Sequence, residues 1–153
     1  MALHSFDSLE ALKAFVGHAP VSGDPIVVDQ AMIDTFAGVT QDKQWIHVDP
    51  VRAKDGPFGA PIAHGFLTLS LLPAFSHTAY KVKHSSTGVN YGLDKVRFPA
   101  PVPVGSLLRA HFKLVSFDPL ENGGAQLKLE MIVERQGGSK PVCIAESIIR
   151  RVP

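Results

Sequence analysis

Residues 62–75 of this chain read IAHGFLTLSLLPAF. Apolar side chains occupy so many of these positions that no continuous polar face remains, which is typical of a helix covered on nearly every side. Pro73 has no backbone N–H, so we expect it to kink or end the helix within about one turn. The stretch therefore predicts a long apolar helix at the centre of the fold.

Most of the chain after this helix has the two-residue period of strands. Apolar and polar residues alternate, so each segment predicts a strand with one covered face. Glycine pairs at 123–124 and 137–138 suit hairpin loops between such strands. With one short strand before the helix, the predicted strands are 26–28, 89–98, 109–114, 127–134 and 142–150. They indicate an antiparallel sheet of about five strands.

A buried helix beside an antiparallel sheet predicts an α+β fold in which a curved sheet wraps around the helix. The length of 153 residues suits one compact domain spanning residues 1–153. A small open sheet leaves an edge strand with unpaired backbone groups. We therefore expect two protomers to join their sheets edge to edge as a homodimer, with or without further assembly.

Two helices are predicted before the central one. Ser8 can cap a short helix whose apolar residues recur at helical spacing from Leu9 to Val16. Asp29 can cap a second helix, which we expect Gly38 to end. The segment that follows Gly38 carries the side chains of greatest chemical interest.

Composition excludes several classes of partner. The chain has 15 Lys+Arg and 14 Asp+Glu with no basic run, so neither nucleic acid nor an anionic membrane surface is favoured. The N-terminal residues lack the pattern of a signal peptide, and no apolar stretch is long enough to span a bilayer. The single Cys143 predicts a buried structural thiol, and together these features favour the reducing cytoplasm.

Asp42 and His47 form a candidate acid/base pair. A carboxylate can hold or activate water, while imidazole titrates near neutral pH. On an ideal helix a spacing of five residues turns the side chains apart by about 140°, so the pair is expected to converge only on a loop or irregular turn. The alternative is that Asp42 is an ordinary turn residue and His47 a surface histidine.

The pair His64-Gly65 lies at the predicted start of the central helix. Backbone N–H groups in a first helical turn lack intrahelical partners, and one of them could stabilise an oxyanion on a substrate carbonyl. Gly65 would let another group approach the backbone closely. The alternative is that Gly65 only permits tight packing and His64 bonds locally.

A metal site is a further use for Asp42, His47 and His64, since two imidazoles and a carboxylate can bind zinc. No Cys lies near them and no His-x-x-x-His spacing occurs, so we predict no metal site. Serine nucleophile elbows, phosphate loops and dinucleotide fingerprints are also absent. The sequence identifies no cofactor-binding residues.

Three segments together resemble a known family. Residues 36–47 contain an Asp-x-x-x-x-His motif formed by Asp42 and His47, and residues 61–67 read PIAHGFL. With residues 90–105, they resemble the MaoC-like dehydratases, the (R)-specific enoyl-CoA hydratases of the hotdog fold. The version QWIHVD at 44–49 is most similar to the NodN-like branch.

The resemblance implies reversible syn hydration of a trans-2-enoyl thioester to an (R)-3-hydroxyacyl thioester. Coenzyme A would be the usual carrier and part of the substrate, and no separate cofactor is implied. Asp42 and His47 would bind and activate water and protonate the α carbon, while the Gly65 N–H would polarise the thioester carbonyl. The apolar helix and the loop 54–61 would border the acyl pocket.

The chain departs from the family pattern at several positions. Gln41 stands where glycine usually precedes the aspartate, and Gln44 and Trp45 replace Asn-Pro. Pro73 occupies the position where some relatives place a serine near the substrate, and Ser70 is not assigned to the site. Two other functions stay open. One is a hotdog acyl-CoA thioesterase, and the other, suggested by Gln41, is a non-catalytic subunit that binds acyl thioesters.

Overall fold

A computed structural model describes residues 3–153. The N-terminal segment, for which no signal peptide is predicted, begins with Met1 and Ala2. These two residues lie outside the described residues. The strands are β1 His4–Phe6, β2 Val21–Ser22, β3 Ile26–Val28, β4 Tyr80–Val82, β5 Thr87–Arg97, β6 Ser106–Pro119, β7 Ala125–Arg135 and β8 Cys143–Val152. The α-helices are α1 Gln30–Thr40, α2 Trp45–Val48, α3 Pro50–Lys54, α4 Gly65–Ser70 and α5 Leu72–Ala79.

The main sheet is antiparallel and has the strand order β2-β6-β7-β8-β5, with β3 also paired to β6. The five predicted strands all belong to it, and the additional member, β2, has only two residues. Strands β1 and β4 form a separate parallel pair. The prediction of an α+β fold with an antiparallel sheet around a helix is confirmed.

The alternating pattern of the sheet places one face of each long strand in the core. Alternate residues of β7 from Ala125 to Val133 are buried, and β6 shows the same pattern from Ser106 to Leu114. The other faces stay partly exposed. Cys143 begins the buried face of β8, where burial raises the pKa of its thiol to about 11. The predicted buried thiol is confirmed.

The central helical stretch differs in detail from the prediction. It begins at Gly65 rather than Ile62, because the Ile62 N–H donates to the Ile46 carbonyl and the Ala63 N–H donates to the Val102 carbonyl. It is interrupted at Leu71, and Pro73 lies in the first turn of α5. A proline is tolerated there because its missing N–H would have no intrahelical partner.

The prediction that this helical stretch is buried on nearly every side is only partly met. Leu67, Leu72 and Phe75 are buried, but the side chain of Phe66 is 68% exposed.

Among residues 3–153, none of the helices combines the length and the apolar character needed to cross a bilayer.

The predicted Asp29 cap of α1 is confirmed, while the other N-terminal helix spans Glu10–Phe15 with Leu9 at its N-cap position, one residue after Ser8. Asp29 Oδ1 accepts a hydrogen bond from the Met32 N–H at 2.9 Å, and Ser8 Oγ accepts one from the Ala11 N–H at 3.2 Å. The segment after Ser8 is a 3-10 helix rather than an α-helix. The prediction that Gly38 ends α1 is wrong, because the helix continues to Thr40.

Gln41 ends α1 in the left-handed conformation, with φ of 64°. This conformation favours glycine, since a Cβ is strained there. The side chain offsets part of the strain, because Gln41 Nε2 donates to the Gly38 carbonyl at 2.7 Å. Gln41 therefore ends the helix as a glycine would, and Asp42 follows it directly.

Replacing Gln41 by Gly is expected to raise the free energy of unfolding by about 0.5–1 kcal/mol, because glycine adopts a positive φ without strain. Urea unfolding would measure the change. Gln44→Gly is the matched control, since φ at Gln44 is −58°, and this variant should lose stability. A loss in Gln41→Gly as well would show that the side-chain bond outweighs the strain.

Candidate active site

Three consecutive features of the fold bring the predicted side chains together. Asp42 lies in the loop after α1, His47 lies in the short helix α2, and His64 directly precedes α4. Possible ligand atoms of these three side chains all lie within 4.8 Å of one another. The loop expected between Asp42 and His47 is therefore partly helical, but the two side chains converge as predicted.

His47 is buried, with 6% of its surface exposed. Its Nδ1 lies 2.6 Å from the Ile62 carbonyl oxygen, which can only accept, so Nδ1 carries the proton and donates it. In the neutral imidazole, Nε2 is then an acceptor. Burial lowers the pKa of His47, and nearby His64 lowers it further, against opposing effects of the Ile62 carbonyl and Asp42. His47 is thus suited to accept a proton near neutral pH.

His64 is a residue for which sequence reasoning found no firm role. Its Nε2 donates to the backbone carbonyl of Asp42 at 2.9 Å, which ties the Asp42 loop to the start of α4. This bond joins distant parts of the chain, so the local bonding considered for His64 is wrong. Its ring also stacks on that of His47 with centroids 3.8 Å apart. His64 therefore supports both predicted catalytic side chains.

The second nitrogen of His64 is unusual. The residue is 3% exposed, and its Nδ1 is buried without a hydrogen-bond partner among the described residues. Because Nε2 donates to a carbonyl, Nδ1 of the neutral ring carries a lone pair. The stack therefore contains two unprotonated nitrogens, one in each ring.

The carboxylate of Asp42 is the exposed member of the cluster. The Gln44 N–H approaches its Oδ1 at 3.4 Å, and the Asp42 N–H lies 3.4 Å from Thr40 Oγ1. One side of the cluster is therefore open to solvent, while the imidazoles close the other side. A water molecule could reach the carboxylate and a histidine nitrogen together.

The geometry of the two rings bears on metal binding. An imidazole lone pair lies in the plane of its ring, so two rings that bind one ion need planes that meet at that ion. The rings of His47 and His64 are stacked with an interplanar angle of only 23°, so their lone pairs do not converge nearby. This arrangement disfavours coordination of one zinc ion by both rings.

Gly65 is the first residue of α4, at the end where N–H groups lack intrahelical partners. A Cβ added to Gly65 would lie 2.8 Å from Cδ2 of Phe98. The absence of a side chain therefore allows the Phe98 ring to cover this backbone. The packing role considered for Gly65 is present, and its N–H lies at the helix start, where it has no partner within α4.

A cavity of about 780 Å³ lies between the helices α4 and α5 and the strands β5 and β8. Phe66, which follows Gly65, is part of its wall, as are Ser70 and Pro73. The loop 54–61 contributes no residue to this wall. It contacts Trp45 instead, because Gly56 packs against that ring. The expectation that this loop borders the pocket is therefore not met for this cavity.

Comparisons with known proteins agree on one family. The profile of the MaoC like domain matches residues 12–134. Over 150 residues the chain is 49% identical to 3-hydroxyacyl-thioester dehydratase Z of Mycobacterium tuberculosis, covering 98% of this chain and 99% of the relative. It is 41% identical to Nodulation protein N of Rhizobium leguminosarum bv. viciae over 146 residues, covering 92% and 89%.

Solved structures show the same fold. A monoamine oxidase regulatory protein from Archaeoglobus fulgius superposes with a TM-score of 0.76 at 25% identity, covering 100% of this chain and 99% of that one. An unliganded R-hydratase from Pseudomonas aeruginosa superposes with a TM-score of 0.67 at 24% identity, covering 88% and 79%. The latter likeness concerns the fold alone.

Proposed function

Because the chain belongs to the MaoC like domain family, we propose that it is a lyase that reversibly adds water to trans-2-enoyl thioesters, giving (R)-3-hydroxyacyl thioesters. The observation that carries this proposal is the convergence of Asp42, His47 and His64 within 4.8 Å beside the start of α4. The relatedness to a 3-hydroxyacyl-thioester dehydratase supports the same reaction. Coenzyme A is the proposed carrier, and the reaction requires no separate cofactor.

In the proposed mechanism, Asp42 and His47 hold one water molecule. The Asp42 carboxylate accepts a hydrogen bond from it, and Nε2 of His47 accepts the proton that the water loses as its oxygen adds to C3. The electron pair of the double bond moves towards the thioester carbonyl. The proton then passes to C2 on the same face, which completes a syn addition and returns His47 to its neutral form.

The negative charge on the thioester oxygen requires a donor. Gly65 N–H is the proposed one, because it lies at a helix start and next to the catalytic cluster. Its hydrogen bond would strengthen as the enolate forms. Such an interaction accelerates the reaction because it is stronger in the transition state than in the ground state.

The structure weakens one alternative function. Gln41 motivated the hypothesis of a non-catalytic subunit, yet its left-handed φ ends α1 as a glycine would. The departure from the family pattern therefore leaves the Asp42 loop in place. A thioesterase would need only a carboxylate and water, so the buried His47 beside Asp42 favours hydration instead.

The proposed function is tested with purified protein and crotonyl-CoA. Loss of the enoyl absorbance without release of free thiol is the expected result. Thiol release without hydration would instead identify a thioesterase. No reaction with enoyl-CoAs of several chain lengths would support the non-catalytic subunit.

The pH dependence follows from the lowered pKa of His47. The neutral ring is the base, so kcat/KM should fall as the pH decreases through this pKa. Since burial lowers the pKa, we expect the acidic limb to lie below the value of about 6.5 typical of exposed histidine. A pH series with crotonyl-CoA would measure it, and an acidic limb above that value would contradict the assignment.

Gly65→Ala is expected to lower kcat/KM by about tenfold to a hundredfold. The new methyl group would push the Phe98 ring aside and alter access to the Gly65 N–H. Crotonyl-CoA kinetics and a thermal melt would separate this effect from instability. Gly38→Ala is the control, because a Cβ there meets nothing within 4 Å. Equal kinetics for both variants would remove Gly65 from the mechanism.

We also infer a homodimer formed through β5. Among residues 3–153 this strand of eleven residues pairs with β8 alone, so its other edge has unpaired backbone groups, and the side chains of Val89, Tyr91 and Leu93 on it are exposed. A long apolar edge favours pairing with a second copy. Light scattering would measure the mass, and a monomer at micromolar concentration would contradict the inference.

The proposed location is the cytoplasm, supported by the unpaired, buried Cys143.

A further inference from the structure

The wall of the 780 Å³ cavity has apolar side chains at one end and polar side chains at the other. At α4 it contains the apolar side chains of Phe66 and Leu69, and at the end of α5 it contains Tyr80 and Arg151. The two helices run from Gly65 to Ala79 with an interruption at Leu71, and they would span at most roughly 20 Å at 1.5 Å per residue. The polar end of the cavity thus lies at the opposite end of the α4–α5 segment from Gly65.

Arg151 points into this space from β8. Inward residues alternate along the strand through Cys143, Ala145 and Ser147, and Arg151 continues that series. A Cβ on Gly88 of the neighbouring strand would lie 3.7 Å from both Cζ and Nε of Arg151. The guanidinium group thus packs over the backbone of Gly88 at the cavity wall.

This guanidinium group has no anionic partner. No carboxylate among residues 3–153 forms an ion pair with it, and its buried Nε has no hydrogen-bond partner there. The lining includes a second cation, Lys81, and no Asp or Glu. Burying a cation without an anion beside it costs free energy, and a bound anion would offset that cost.

Tyr80 adds a neutral hydroxyl to the same end, and this hydroxyl is itself hydrogen-bonded to Arg151. Its side chain is 7% exposed, and its ring centre lies 6.0 Å from Cζ of Arg151. Burial raises the pKa of the phenol, so the hydroxyl stays protonated. A planar guanidinium beside a hydroxyl donor suits a carboxylate, which can accept two parallel N–H bonds.

We propose that this cavity binds an acyl group whose distal end carries a carboxylate, so that the substrates are enoyl thioesters of the dicarboxylic type. This inference rests on the proposed function, which places the thioester carbonyl at Gly65 N–H. The acyl chain then enters past Phe66 and Leu69 and directs its far end towards Arg151 and Tyr80. An uncharged acyl end would leave the guanidinium group without an anionic partner.

Equilibrium binding tests this inference without turnover. Suberyl-CoA and sebacyl-CoA carry a free terminal carboxylate, while octanoyl-CoA and decanoyl-CoA are their uncharged counterparts. Calorimetry should show that the protein binds a dicarboxylic ligand at least about tenfold more tightly than its counterpart. Arg151→Met should abolish this preference. Arg109→Met, which alters an exposed arginine of β6, should retain it.

Equal or tighter binding of the uncharged ligands to the unaltered protein would overturn the inference, and this comparison needs no variant. A second contrary result would be equal weakening of octanoyl-CoA, suberyl-CoA and free coenzyme A by Arg151→Met. In that case the guanidinium group would contact the phosphates of the carrier. A dicarboxylic preference without hydration of any enoyl-CoA would contradict only the proposed function.

Discussion

Asp42→Asn is expected to lower kcat/KM for hydration of crotonyl-CoA by at least about a hundredfold. The amide is nearly the same size as the carboxylate but carries no charge and accepts hydrogen bonds less strongly. The water would therefore be held and polarised less well beside His47. The loss should appear in kcat, because the interaction is needed most in the transition state.

The fold should tolerate this change. Asparagine keeps an Oδ1 acceptor for the Gln44 N–H, and the bond from His64 goes to the backbone carbonyl of Asp42, which is unaltered. The thermal midpoint should thus stay close to that of the unaltered protein. Asp55→Asn is the matched control, since this exposed residue follows α3 outside the cluster. If both variants hydrate crotonyl-CoA at normal rates, Asp42 has no catalytic role.

His47→Gln should also lower turnover by about two or more orders of magnitude. Glutamine has no group that titrates near neutral pH, so it cannot accept the proton lost by water. The acidic limb of the pH profile should disappear together with the rate. Steady-state kinetics across a pH series would measure both effects.

Stability must be followed in the same variant. His47 is buried, stacks on His64 and donates to the Ile62 carbonyl, so its loss also removes packing and one hydrogen bond. His18→Gln is the control, because His18 is an exposed residue that stacks on Phe15. Normal turnover with an unchanged acidic limb in His47→Gln would exclude His47 as the base. It would make Nδ1 of His64 the next candidate.

Much of the fold could be predicted because its signals are local. The alternation in β6 and β7 and the cap formed by Asp29 depend on residues only a few positions apart. The interruption at Leu71 could not be located in this way. Pro73 indicated a break nearby, but whether a proline ends one helix or begins the next depends on how the surrounding chain packs.

The candidate site was predictable to a similar extent. Asp42, His47 and Gly65 could be identified by residue type, spacing and family resemblance, and the three-residue cluster brings the first two together. The support given by His64 could not be foreseen. Its stack on His47 and its bond to Asp42 join residues that are 17 and 22 positions away.

The amino-acid sequence by itself determined the helix and strand periods, the cap of α1 and the proposed acid/base pair, because these depend on side chains near one another along the chain. Only the tertiary structure decided which groups are buried and what they face. His64 reaches the Asp42 loop, and Arg151 shares a cavity with Tyr80, because the sheet folds over the helices. Burial and unpaired charge arise from such long-range packing, and they set both the pKa of His47 and the chemistry of the cavity.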